Sequence, residues 1–227
     1  MVGRDEGREL TLARLRALSE HSLRRAGDSL TALLGHSVRL AVTGLAGVPA
    51  TDLPGLVTAG DAGPLAGLRF QITGEASGQM VILFPLRTIH RMLRVLLGER
   101  GESASLSGEE RSAVQEVGNI LASAFLSGLG DLLGRRLLPT PPEIHLDDSA
   151  GLVQQVMAAL QEQQTEVLVI QALFEDPEQR IEGRFFVLPE MASLEAMVRG
   201  VAAGGNAGTS PSAGTNTNVG TGGRSEE

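Results

Sequence analysis

A chain of 227 residues, 42% of them apolar and 20% charged, is long enough for one globular domain with a sizeable core or for two small ones. Its net charge of −8 argues against nucleic acid as a partner, because affinity for a phosphate backbone needs concentrated positive charge. Cysteine and lysine are both absent, so disulfides, thiolate metal sites, cysteine nucleophiles, a P-loop lysine and a Schiff-base lysine are excluded together, and all 19 basic residues are arginine.

The N-terminal stretch Met1 to Arg8 is charged, and no apolar signal-peptide core follows it. The longest apolar runs, such as Met80 to Pro85 and Val167 to Ile170, fall far short of the roughly 18 to 20 apolar residues of a membrane span. A cytoplasmic location without membrane contact is expected. The first apolar periodicity runs from about Glu9 to Leu34, with Leu12, Leu15, Leu23, Leu30, Leu33 and Leu34 near helical spacing and Gly35 as the stop. Candidate strands follow at Ser37 to Gly44, Gly67 to Thr73 and Gln79 to Phe84, the first separated from the others by a Gly/Pro-rich connection, Ala46 to Pro64. Arg87 to Leu97 reads as an amphipathic helix.

A second long helix is expected from Ser107 to Leu133, ending at Gly134. Ser107 followed by Glu110 is a capping box, in which each residue's side chain bonds the other's backbone N–H, and it fixes the start. Strands are expected at Glu143 to Leu146, Glu166 to Phe174 and Arg180 to Leu188, with a helix over Asp148 to Gln161, turn chemistry at Glu175 to Gln179 and a last helix at Met191 to Arg199. From Val201 to Glu227 the chain is Gly, Ser, Thr, Asn and Ala with almost no large apolar side chain, so burial cannot offset the entropy of ordering it, and a disordered tail is expected.

The two long helices end alike, in Leu33-Leu34-Gly35 and Leu132-Leu133-Gly134, and Gly78 to Pro85 (GQMVILFP) resembles Gly183 to Pro189 (GRFFVLP) in the same order. An offset of about 100 residues therefore relates two copies of one unit, over about 9–98 and 107–200 within a domain of residues 1–200. The expected class is α+β: an internally duplicated, pseudo-twofold unit with two long helices packed on a mainly antiparallel central sheet and short flanking helices.

The second long helix carries the candidate chemistry. At about 100° per residue, Val117, Leu121, Ala124, Phe125, Gly128 and Leu132 share the expected core side, while Ser112, Glu116, Asn119, Ser123, Ser127 and Gly130 gather on the other. Glu116 and Asn119 then lie one turn apart and point the same way. Small residues around them would let another protein's surface approach the helix, where ordinary solvated faces prefer long Glu, Lys and Arg. From pattern alone a Glu and an Asn on an exposed face read first as surface residues. The four histidines, His21, His36, His90 and His145, are scattered and read as solvated or capping side chains rather than metal ligands.

The stretch resembles the CheC/CheX/FliY family of chemotaxis phosphatases, whose signature is Asp or Ser, three residues, Glu, two residues, Asn, twenty-two residues, Pro. Ser112, Glu116, Asn119 and Pro142 satisfy every step of it. The resemblance implies a protein phosphatase that hydrolyses the aspartyl phosphate of a CheY-like response regulator in chemotaxis or two-component signalling. Asn119 would position the attacking water, Glu116 would anchor the regulator through a lysine, Ser112 would support Glu116, and Pro142 would fix the start of the following strand. No cofactor is expected on this chain, the Mg²⁺ belonging to the partner regulator.

The family usually carries the motif on both long helices. Aligning Gly35 with Gly134 places Ala13, Ala17 and Glu20 opposite Ser112, Glu116 and Asn119, so the first site is lost and the chain looks like a single-site CheC. The alternative is a non-catalytic adaptor of the same fold that binds a response regulator, a CheD-type deamidase or flagellar switch components. A FliY-like switch protein is a third reading, although the tail here contains no switch-ring domain.

Overall fold

The structure is a computed structural model that describes residues 2–58, 63–98, 103, 105–147, 151, 166–176 and 181–190. Their elements follow in the order α1 (Val2–Leu34), β1 (Arg39–Pro49), a short 3-10 turn (Ala50–Asp52), α2 (Leu53–Thr58), β2 (Leu65–Gly74), β3 (Gly78–Pro85), α3 (Leu86–Leu97), α4 (Gly108–Leu133), β4 (Leu137–Pro139), β5 (Glu143–Asp147), β6 (Glu166–Asp176) and β7 (Ile181–Pro189).

The strands form one seven-stranded sheet in the order β1-β6-β7-β3-β2-β4, with β5 also paired to β2. Each pairing is antiparallel. Central β3 and β7 are almost continuously apolar because both of their faces are covered, and nearly every residue along them is buried. The edge strand β1 is at least partly exposed at every residue except Val42.

With β5 taken beside β2 in place of β4, the order β1-β6-β7-β3-β2-β5 reads the same from the other edge when β1, β2 and β3 are exchanged for β5, β6 and β7. Each half lends its first strand to the other: β1 pairs with β6, and β5 with β2. The central register follows suit. Aligning Pro85 with Pro189 makes Val81 equivalent to Phe185 and Ile82 to Phe186, and these four pair crosswise, Val81 with Phe186 and Ile82 with Phe185.

α1, α3 and α4 cover one face of the sheet. Leu23, Ala26 and Leu30 of α1, Ile89, Met92 and Leu93 of α3, and Val117, Leu121 and Phe125 of α4 join Leu68, Phe70, Ile82, Phe84 and Phe185 in the main core. The rings of Phe125 and Phe185 meet edge to face at 4.9 Å. A smaller cluster of Leu53, Leu65, Val81, Leu83, Val169, Phe186 and Leu188 lies on the other face under α2.

Three boundaries differ from the sequence reading. α1 begins at Val2 rather than near Glu9, since the charged residues before Glu9 carry no apolar period yet remain acceptable in a helix. β1 continues to Pro49, and the expected Gly/Pro-rich loop holds the 3-10 turn and α2, because β6 supplies a ladder to an apolar run that alone looks like linker. β4 is a separate short strand. Most of the Asp148 to Gln161 helix, the Glu175 to Gln179 turn beyond Asp176, the Met191 to Arg199 helix and the tail lie outside the described residues.

Candidate functional site

α4 is held at both ends by local chemistry. The Ser107 hydroxyl accepts from the Glu110 N–H at 3.3 Å, and the Ser107 N–H donates to the Glu110 carboxylate at 2.8 Å, completing the capping box. Glu109 and Glu110 place negative charge at the positive end of the helix dipole. Gly134 closes the helix in the left-handed region at φ 62°, as Gly35 does for α1 at φ 73°.

Between these ends the helix lies close on the sheet. A Cβ added at Gly118 would meet Leu68 Cδ2 at 2.3 Å and Phe70 Cζ at 3.2 Å, so a larger residue here would force those buried side chains to shift. Gly118 lies between Glu116 and Asn119, and the close approach fixes how far both stand from the core. The buried face comprises Val114, Val117, Gly118, Leu121, Ala122, Phe125, Leu126, Leu129 and Leu133. It is wider than the sequence reading and corrects it in two places. Leu132 is 41% exposed, and Gly130 is buried, where an added Cβ would fall 2.4 Å from the Arg135 carbonyl oxygen as the chain turns back into β4.

The outer face carries the motif. Glu116, Ser112 and Ser127 are exposed, while Asn119 and Ser123 are half-buried. Among the described residues, neither the Glu116 carboxylate nor the Asn119 carboxamide is engaged in a hydrogen bond or ion pair, so both groups are available. The Ser112 hydroxyl donates to the Gly108 carbonyl at 2.9 Å, which commits its one proton to the helix rather than to Glu116.

Pro142 is buried just before β5 and turned toward the other edge of α4. Its carbonyl accepts from Gln115 Nε2 at 3.2 Å, and the Ile144 carbonyl accepts from Arg111 Nη1 at 3.4 Å. Sequence reasoning singled out Pro142 but missed Gln115 and Arg111. Their one signal is a pair of long polar side chains at i and i+4 on the boundary between the apolar and exposed faces. Nearby, the Arg69 guanidinium hydrogen-bonds Glu143 and, with a smaller contribution from His145, holds its carboxyl below the usual carboxylate range.

On α1 the aligned positions do not repeat the Glu and Asn pair. Ala13 and Ala17 are exposed, and Glu20 is already paired with Arg16 at 3.1 Å. A shallow groove between α1 and α4, lined by Arg25, Asp28, Ser29, Ile120, Ser123, Ala124 and Ser127, continues from the Asn119 face. Arg25 bridges the two helices through Asp131. Among the described residues no three His, Cys, Asp or Glu side chains converge as metal ligands, and no helix is long and apolar enough to cross a membrane. His90 is hydrogen-bonded to the Ser103 carbonyl oxygen at 2.9 Å, and His145 lies 3.7 Å from Glu143.

Comparison with known proteins agrees with the motif. The CheC-like family pattern matches residues 109–146, a span that contains Ser112, Glu116, Asn119 and Pro142. The chain is 27% identical over 139 residues to the CheY-P phosphatase CheC of Bacillus subtilis, covering 59% of this chain and 66% of that protein, just under two thirds of its length. In fold it is similar to FliY of Thermotoga maritima, with a TM-score of 0.70 at 15% identity over 85% of this chain and 96% of that one. It is also similar to a chain in the FliM–SpeE complex of Helicobacter pylori, with a TM-score of 0.62 at 11% identity over 85% of this chain and 95% of that one.

Proposed function

We propose that the chain, which matches the CheC-like family pattern over residues 109–146 and resembles the CheY-P phosphatase CheC, is a protein phosphatase acting on the aspartyl phosphate of a CheY-like response regulator, with Asn119 and Glu116 as its working residues. The observation that carries this reading is the pair itself: a carboxylate and a carboxamide one turn apart on the outer face of a capped helix, neither of them engaged among the described residues.

The reaction asks little of the protein beyond positioning. An aspartyl phosphate is an acyl phosphate; water attacks phosphorus in line, the bond from phosphorus to the aspartyl oxygen breaks, and inorganic phosphate and the carboxylate leave. The Asn119 amide can accept from that water through its oxygen while its nitrogen donates, which holds the water on line. Glu116, an acceptor-only group, pairs with a lysine of the regulator and fixes the pose. The Mg²⁺ that neutralises the phosphoryl oxygens belongs to the regulator. The two halves of the fold are two copies of one unit within residues 1–200, the second of which works in the cytoplasm with α1 as its scaffold.

The test is loss of phosphate from a phosphorylated CheY-like regulator. The purified chain should accelerate it, and Asn119→Ala should abolish the acceleration while its unfolding midpoint stays within the range of an ordinary surface substitution, about 0.5 kcal/mol. Binding of the phosphorylated regulator without acceleration would instead identify an adaptor, which could also engage a CheD-type deamidase.

A further inference from the structure

We propose that Gln115 is a positioning residue: its hydrogen bond to the Pro142 carbonyl fixes the rotation of α4 about its own axis, and so aims Asn119 at the phosphoryl group. This inference rests on the phosphatase reading above. It accounts for two observations that reading leaves aside, the bulge at Pro142 and the half-buried amide of Gln115.

The strand next to α4 is built to present that carbonyl. β2 pairs with β4 through Ile72 and Pro139 and with β5 through Arg69 and Glu143, so Phe70 and Gln71 stand opposite Thr140, Pro141 and Pro142. Two residues facing three make a bulge, the device that turns a strand's groups out of the ladder. The ladder is re-anchored at Thr140, whose N–H donates to the Gln71 carbonyl at 2.9 Å and whose hydroxyl accepts from the Gln71 N–H at 2.9 Å. Pro141 and Pro142 have no N–H to offer, and proline is tolerated at such a bulge. The Pro142 carbonyl is left to accept from Gln115 Nε2 at 3.2 Å, while Arg111, one turn earlier, reaches the Ile144 carbonyl at 3.4 Å. Gly118 sets the height of α4 above β2, and Val117, Leu121 and Phe125 seat its inner face in the core. The Gln115 bond braces the edge of the helix against the remaining roll, acting one residue from Glu116 and four from Asn119.

Geometry gives the scale. A side-chain tip on a helix lies about 5–6 Å from the axis, so a roll of roughly 10° displaces it by about 1 Å, a misplacement that can cost roughly 100-fold in rate. Affinity for the regulator is spread over a wider surface and is far less sensitive to that roll.

The experiment compares wild type, Gln115→Met, which keeps the stem and loses the donor, Gln115→Lys, which restores an N–H donor, and Asn119→Ala. For each, turnover at saturating phosphorylated regulator, affinity for a stably phosphorylated analogue of it, and Tm are measured. Gln115→Met should lose about tenfold or more in turnover with affinity unchanged within about twofold and Tm close to wild type, and Gln115→Lys should recover part of the loss. Turnover of Gln115→Met equal to wild type overturns the inference alone. A loss of turnover that merely tracks a fall in Tm, without rescue by lysine, also overturns it. An inactive wild type overturns both this inference and the phosphatase reading.

Discussion

Replacing Gly118 by alanine sets two known effects against each other at the centre of the motif. Removing a mid-helix glycine by itself stabilises a helix by about 1 kcal/mol. The new methyl would stand 2.3 Å from Leu68 Cδ2 and 3.2 Å from Phe70 Cζ, whereas carbon atoms rest about 3.5–4.0 Å apart. Leu68 and Phe70 are fully buried, so neither can swing into solvent to make room. Overpacking of this kind costs about 1–3 kcal/mol and outweighs the propensity gain. Gly118→Ala should therefore be destabilised by up to about 2 kcal/mol, a Tm lower by up to about 4–8 °C for a chain of this size. Gly108→Ala on the first turn of the same helix, where an added Cβ meets nothing within 4 Å, should show no such loss. Urea unfolding with unchanged m-value is the measurement. A rise of about 1 kcal/mol in Gly118→Ala would mean that helix propensity governs this position, and would refute the close seating of α4 on β2. Because relief of the clash would lift the turn that holds Glu116 and Asn119, the proposed acceleration of regulator dephosphorylation should fall as well.

Ser107→Ala should cost about 1 kcal/mol through loss of the helix cap, seen as a lower urea midpoint, and Glu110→Gln, which still reaches back to the Ser107 N–H, should cost less. Glu143 should titrate below the ordinary carboxylate range by NMR, and Arg69→Met should move it up. Since its folded pKa is depressed, the stability the pair provides is complete above the unfolded carboxylate pKa and is lost as the pH falls through the folded value. In Arg69→Met that part of the acid dependence should shrink.

Much of the chain was legible because its signals are local. The capping box at Ser107 and Glu110 and the glycines at 35 and 134 mark helix ends through hydrogen bonds and dihedrals that a few contiguous residues settle, and α4 starts and stops where they predict. β3 and β7 were visible as apolar runs because strands covered on both faces need nothing else. The spacing of Ser112, Glu116, Asn119 and Pro142 likewise needs only the chain.

What tertiary structure decided depends on partners distant in sequence. That β1 extends to Pro49 follows from β6, more than a hundred residues away, offering it a ladder. Leu132 was assigned inward and Gly130 outward by helical period, yet the turn of Arg135 back into β4 buries the glycine and leaves the leucine at the rim. Ser112, read as a support for Glu116, gives its proton to Gly108. Gln115 and Arg111 carry no signal of their own in the sequence beyond their spacing; in the fold two backbone carbonyls, those of Pro142 and Ile144, stand against them. The sequence by itself placed Ser112, Glu116 and Asn119 on one face of one helix. How deep that helix sits and what stops it from rolling were decided by the sheet beneath it, because burial and hydrogen bonding across distant segments exist only once those segments have met.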